Sequence, residues 1–241
     1  MIDIHSHIIY GVDDGAQSQD QSLRMICEAE RSGIKVIVAT PHVRDQSLNY
    51  EKLEENFQNL SRKASEYGVV LKLGCEAHIH TDIVTLYKSN KVLTLGNSRH
   101  MLIEFPFNYI PLYTNDLLYK LRLEGIAVVI AHPERYRYFV DDFNLFLRFL
   151  DTGCLMQLDA ASIIGKHGSR IKSFCKKVIK MKKAHFVSSD AHCAEHYREW
   201  YLKSMKKVQR WAGEEYAEEL YFKNAARILD NTKEEVLPRR R

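Results

Sequence analysis

IDIHSHIIYGVDDG, residues 2–15, sets His5, His7 and the pair Asp13-Asp14 against a ground of isoleucines. Ile2, Ile4, Ile8 and Ile9 around His5-Ser6-His7 read as a short strand. Strand side chains alternate with a period of two, so both histidines fall on one face at its end. Two imidazoles on one face can share a metal ion, and that turns attention to what other strands place at the same level.

Runs of strand length recur at Ile2–His7, Val36–His42, Val70–Glu76, Met101–Phe105, Ala127–His132, Leu155–Asp159 and His185–His192. The segments between them have helical periodicity: Leu53, Phe57, Leu60, Ala64 and Tyr67 form one stripe, and Phe143, Phe146, Leu147 and Leu150 another. Gly33, Gly68, Gly125 and Gly153 each close a helix-like stretch just before a strand, where a left-handed residue is wanted. Alternating βα units predict an α/β fold with a parallel sheet, open or closed into a barrel. No linker or composition shift divides residues 1–241, which predicts a single domain.

Six of the seven runs end in a metal-ligating residue type: His5 and His7, His42, Glu76, Glu104, His132, then Asp190 and His192. In a closed parallel barrel those ends meet at one mouth. The remaining run offers Gln157 and Asp159, to which no role is assigned. His78, His80, His100, His167, His185 and His196 are taken as hydrogen-bonded structural residues. Carboxylates gathered without cations raise one another's pKa and destabilise the site. A cluster of two or three divalent ions relieves that cost, with Glu76 able to bridge two of them. Imidazole and carboxylate without thiolate suit Mn²⁺, Fe²⁺ or Zn²⁺.

The 241 residues carry a net charge of +4, with 45% hydrophobic and 27% charged residues. That is a globular composition, and the mild charge does not point to nucleic acid. No apolar run approaches the ~20 residues of a membrane span, and no signal-peptide pattern opens the chain, so a cytoplasmic location is expected. Five cysteines form no CxxC pair and are odd in number, which argues against a disulfide framework. Basic stretches at Lys172–Lys183 and Lys203–Arg210, with Arg239, Arg240 and Arg241, read as solvated helix faces and a tail, or as a surface for an acidic partner.

The set HSH, ATPH (39–42), GCE (74–76), IEF (103–105), AHPER (131–135) and SSDAH (188–192) resembles the polymerase and histidinol phosphatase (PHP) superfamily. With VDDGA it resembles, more narrowly, the manganese-dependent protein-tyrosine phosphatases of bacterial capsular and exopolysaccharide gene clusters. The resemblance spans Ile2 to His192 and implies a single-domain distorted (β/α)7 TIM-like barrel. It also implies a trinuclear Mn²⁺ site. His5, His7, Glu76 and Asp190 would hold one ion, Glu76 would bridge to a second held by Glu104 and His132, and Asp14, His42 and His192 would hold the third. Asp13 would orient neighbouring ligands or cap the next helix.

The chemistry so implied is phosphomonoester hydrolysis by a metal-bridging hydroxide, with Arg135 clamping the phosphate as a bidentate fork. Arg198 stands about one residue from the family spacing. It reads equally as a second phosphate contact or as a surface residue of the following helix. No cysteine has an arginine six positions later, which disfavours a thiol mechanism. The implied substrate is phosphotyrosine in the C-terminal tail of a bacterial tyrosine kinase that controls polysaccharide export. Phe105–Phe107 and Asn108–Pro111 either line the mouth or pack the loop. The alternatives are a histidinol-phosphate phosphatase, a nuclease, and a silent protein that docks on a kinase.

Overall fold

The computed structural model describes residues 1–44 and 48–230, so Arg239, Arg240 and Arg241 lie outside the described residues. The strands are β1 (Ile2–Ser6), β2 (Val36–Ala39), β3 (His42–Val43), β4 (Val70–Leu73), β5 (Glu76–His78), β6 (His100–Glu104), β7 (Ala127–Ala131), β8 (Leu155–Asp159) and β9 (Phe186–Ser188). Every pairing among them is parallel. One sheet runs β1-β2-β4 and the other β3-β5-β6-β7-β8-β9, with helices between successive strands except from β2 to β3 and from β4 to β5, which follow one another directly.

The seven apolar runs become nine strands because two of them break. Pro41 has no amide hydrogen to give to a ladder. Gly74 is packed so tightly that a Cβ there would lie 3.1 Å from Val38 Cγ1 and 3.2 Å from the Thr94 carbonyl oxygen. Pairing resumes past the break: the Gly74 amide donates to Ala39 O at 2.9 Å and the Glu76 amide to Pro41 O at 3.1 Å. His42 thereby pairs with Glu76. On the far side β9 returns to β1 through one bridge, Ser6 to Ala191. The His7 amide donates to Ala191 O at 2.9 Å and the Asp190 amide to His5 O at 3.0 Å. The expected α/β architecture with parallel strands is present, and of the distorted seven-stranded barrel no closed form is detected among the described residues. Among the described residues the strands form two parallel sheets that meet at the Pro41 jog and the Ser6–Ala191 bridge, and no continuous closed ladder.

Period-two alternation divides the core. Ile2, Ile4, Val38, Leu102, Val129, Leu155 and Phe186 form one buried cluster, floored by Ala225, Ile228 and Leu229 of the helix Asn224–Leu229. Their alternates, such as Met101, Ile103, Ile130, Met156 and Leu158, pack outward on the helices. Strands buried on both faces read as continuous apolar runs, as these do. Each fully buried Ile or Leu contributes about 1.5–3 kcal/mol. Two residues beyond Leu102 on the same face comes Glu104, and two beyond Leu155 comes Gln157, so the interior turns from apolar to polar in a single step.

The predicted stripes lie on the helices Tyr50–Glu66 and Phe143–Asp151. Leu53, Leu60, Ala64 and Phe146 are buried, whereas Tyr67 falls just past its helix and is exposed. Gly33, Gly68, Gly125 and Gly153 take φ of 80°, 68°, 76° and 89°, the left-handed conformation expected of them. Among the described residues no helix is long and apolar enough to cross a membrane.

Candidate functional site

The polar strand ends converge on the centre formed by His5, His7, Glu76 and Asp190. His5 Nε2 lies 3.3 Å from Glu76 Oε2 and 3.3 Å from Asp190 Oδ1. His7 Nε2 lies 3.5 Å and 3.2 Å from the same two oxygens. His42 Nδ1 stands 2.9 Å from Glu76 Oε2, and His132 Nε2 stands 2.9 Å from Glu76 Oε1 and 3.8 Å from Glu104 Oε1. Asp14 Oδ1 faces His42 Nε2 at 3.4 Å and His192 Nε2 at 3.5 Å. His7 and His192 stack with ring centroids 4.2 Å apart. His5, His7, Glu76 and His132 are almost wholly buried.

Three sets of donor atoms are each close enough to hold one ion: His7, Asp14, His42 and His192; His5, His7 and Asp190; and His42, Glu76 and Glu104, every atom of a set within 4.8 Å of the others. The grouping differs from the one the resemblance implies, since His7 and His42 each enter two sets. His132 instead meets Glu76 directly.

Hydrogen bonds around this centre fix which atoms face it. His7 Nδ1 donates to Asp13 Oδ2 at 2.8 Å and His5 Nδ1 to Gln157 Oε1 at 3.0 Å, while the Gln157 amide nitrogen donates to Leu158 O. These partners assign the imidazole protons to Nδ1, which turns both Nε2 lone pairs inward, 3.2 Å apart. His42 Nδ1 and Glu76 Oε2 are buried 2.9 Å apart, yet neither makes a hydrogen bond. Donor atoms aimed at a common point rather than at each other fit cations between them.

The electrostatics agree. Burial alone would lower His5, but the Glu76 and Asp190 carboxylates override it and lift its pKa to about 9. His7 is likewise held well above the imidazole range, against its burial, by Asp13 and Asp190. Burial alone would raise Glu76 and Asp190, and the facing imidazoles, His5 foremost, hold both well below the carboxylate range. Positive charge is therefore wanted here, and divalent cations and protons compete to supply it.

Local backbone is bent to this purpose. His132 has φ 31° and Asp190 φ 47°, conformations costly for residues with a Cβ and concentrated at functional sites. Gly15 closes the 11–15 loop where a Cβ would meet the His7 carbonyl oxygen at 2.1 Å. Of the two expectations for Asp13, orientation is the one the structure displays. It accepts from His7 Nδ1, from the His42 amide at 3.1 Å and from the Gly15 amide at 3.0 Å, while Ser18 caps the helix Gln19–Arg31.

Arg135 reaches the rim, donating from Nη1 to Asp190 Oδ2 at 3.0 Å with its guanidinium 5.1 Å from the Phe107 ring centre. Phe107 stacks on His132 at 6.0 Å, so this half of the aromatic run stands beside the centre, while Phe105 is buried in the core. Arg198 is not brought to the centre. It lies exposed in the π-helical turn His196–Tyr201 and pairs with Glu199 at 3.4 Å and Glu195 at 3.9 Å, which corresponds to the surface alternative.

Gln157, to which the sequence assigns no role, accepts through Oε1 from His5 Nδ1 and from the His132 amide at 3.3 Å. A neutral amide at a strand end carries no pattern that would single it out. Two histidines taken as structural flank the centre: His78 Nδ1 is 3.5 Å from Glu104 Oε2, and His196 Nδ1 accepts from the His192 amide at 3.3 Å. His80, His167 and His185 make local bonds elsewhere.

Known proteins share this chain's sequence and architecture. The Tyrosine-protein phosphatase YwqE of Bacillus subtilis is 34% identical over 80% of this chain and 77% of its own. The Tyrosine-protein phosphatase CpsB of Streptococcus agalactiae is 30% identical over 96% of this chain and 99% of its own. A crystal structure from work on YwqE of B. subtilis and CpsB of Streptococcus pneumoniae, described as unique metal-dependent tyrosine phosphatases, superposes with a TM-score of 0.88 at 31% identity, covering 96% of this chain and 95% of that one. The family profile "Capsular polysaccharide synthesis, CpsB/CapC" matches residues 1–230. With its strand-end histidines and carboxylates on one centre, the chain belongs to the CpsB/CapC family of capsular polysaccharide synthesis.

Proposed function

We propose that this protein is a metal-dependent protein-tyrosine phosphatase. The observation that carries the reading is the convergence of the His5 and His7 lone pairs with Glu76, His42, His132 and Asp190 on one buried centre, with the Arg135 guanidinium at its edge. His5, His7, Asp14, His42, Glu76, Glu104, His132, Asp190 and His192 hold two or three divalent ions, Mn²⁺ first, with Fe²⁺ or Zn²⁺ suited to the same nitrogen and oxygen donors. Bound there, the ions supply a water acidified for attack and offset the charge of the phosphate oxygens.

The protein's own residues do the rest. Asp13 and Gln157 hold His7 and His5 in the tautomer that leaves Nε2 free. Arg135 turns its fork from Asp190 to the phosphate, where two parallel N–H donors match two oxygens. Phe107, stacked on His132 and under Arg135, offers an apolar face to the phenyl ring of the substrate. The buried thiols take no part: burial pushes Cys75 up to about 12 and Cys154 up to about 11. The two sheets are the parts of one distorted barrel, and residues 1–241 act as one domain. The substrate is the phosphotyrosine tail of a bacterial tyrosine kinase of polysaccharide export, met in the cytoplasm.

The test is hydrolysis by metal-stripped protein of a phosphotyrosine peptide, a phosphoserine peptide and histidinol phosphate, with and without Mn²⁺. Mn²⁺-dependent preference for phosphotyrosine is expected. His132→Ala and Asp190→Ala should remove most of that activity with the fold retained, and full turnover in either would reject the site.

A further inference from the structure

The mild net charge of the chain conceals one concentrated face. Residues 169–183 hold seven basic side chains and no acidic one, and residues 202–212 hold four and none. These stretches form the helices Ser169–Lys180 and Leu202–Ala212, which pack together. Lys172 and Lys176 of the first meet Lys207, Arg210 and Trp211 of the second. Lys176 Nζ lies 5.9 Å over the Trp211 ring, and burial together with the neighbouring Lys172 and Arg210 holds the Lys207 ammonium below its ordinary pKa. Like charges crowded on packed helices repel one another, and the contacts of Lys176 with the Trp211 ring and of Lys207 with the Ile164 carbonyl oxygen leave that charge without a counter-ion. Among the described residues no carboxylate is ion-paired with Lys172, Lys176, Lys207 or Arg210.

The seam leads toward the candidate site through the turn at residues 164–166, where the Ile164 carbonyl oxygen accepts from Lys207 Nζ at 3.4 Å. From His192 the contacts run to His196 at 6.2 Å, from His196 to Trp200 stacked at 3.7 Å, and from Trp200 to Lys166 Nζ at 5.5 Å. We infer that this seam is a docking track for an acidic stretch of the polypeptide that carries the phosphotyrosine, adjoining the phosphate site but separate from it. The inference rests on the phosphatase reading above. A line of cations between two helices matches an extended chain better than it matches a flat bilayer. Lys203 to Arg210 spans about 10 Å of helix at 1.5 Å per residue. That length takes about three extended residues.

The experiment uses the full chain loaded with Mn²⁺ and two peptides with the same phosphotyrosine core, one bearing four glutamates and one four serines, with the tract placed on either side. The acidic peptide should show kcat/KM roughly tenfold higher, carried by KM, and the advantage should shrink as salt rises to about 0.3 M. In the triple variant Lys172→Gln, Lys176→Gln, Arg210→Gln the advantage should vanish, and Lys172→Arg, Lys176→Arg, Arg210→Lys should retain it, with p-nitrophenyl phosphate turnover unchanged in both. Equal kcat/KM for the two peptides, or a preference that survives in the glutamine variant, would overturn the inference. So would cosedimentation with phosphatidylglycerol vesicles that the glutamine variant loses while peptide preference stays. If the wild type hydrolyses none of these phosphates, the phosphatase reading fails on its own. Anisotropy titration with a labelled, unphosphorylated acidic peptide then still decides the docking.

Discussion

Arg135 Nη1 donates to Asp190 Oδ2 at 3.0 Å, so the guanidinium at the rim rests on a carboxylate of the centre itself. An arginine so placed is held ready by a charge that an arriving phosphate can replace. Arg135→Ala is expected to lower kcat/KM for phosphotyrosine by about a hundredfold, and Arg135→Lys should recover little, because an ammonium cannot make the bidentate contact. Bound metal, read by elemental analysis, should not change. Arg198→Ala should have a small effect. A loss as large as that of Arg135→Ala would give Arg198 a phosphate contact that its pairing with Glu199 does not display.

Removal of metal gives a separate expectation. EDTA should abolish hydrolysis and Mn²⁺ should restore it, whereas a thiol alkylator should leave activity largely intact, since Cys75, Cys154 and Cys175 are buried with their thiols raised by that burial and the half-buried Cys193 thiol, beside His192, is raised by burial too. Alkylation that inactivates protein indifferent to EDTA would reverse the mechanism.

Asp13 separates orientation from ligation. Asp13→Asn keeps the shape but weakens the hold on His7 Nδ1 and invites the wrong tautomer. The Mn²⁺ concentration for half-maximal activity should rise roughly ten- to a hundredfold. Near-full kcat should return at saturating metal, and a loss of kcat that metal cannot rescue would move Asp13 into the chemistry.

His100 tests a pH dependence away from the centre. It is buried at the start of β6 with neither ring nitrogen hydrogen-bonded, and burial lowers its pKa to about 4 from 6.5. Between those values the unfolded chain binds the proton and the folded one does not, so stability falls as pH drops from 6.5 through 4. His100→Phe removes this term. Its stability relative to wild type, measured by urea unfolding of metal-stripped protein, should improve as pH falls through that window by up to roughly 1.4 kcal/mol per unit. A difference that stays flat with pH would place a partner on the ring.

Much of this was legible in the sequence because it was written in alternation. β8 coincides with its apolar run, and Glu104 follows Leu102 on the inner face as period two requires. The jog between Ala39 and His42 was not legible, since an apolar run continues through Pro41 while the ladder cannot. Nor could spacing order the donors: His7 and His42 enter two groups each because the fold crowds them, and that is a matter of tertiary distance. Gln157 escaped for want of charge. Arg198 was set by a π-helical turn, whose extra residue per turn no pattern of hydrophobicity announces.

Ala225, Ile228 and Leu229 seal the interior from beneath, on a helix that lies more than thirty residues after His192. Cutting the chain before Asn224 would leave each candidate ligand in place in the sequence while opening the chamber below it to water. A protein shortened there should lose its grip on metal through a wet floor, a reason to attach any reporter beyond residue 230 and leave that helix whole.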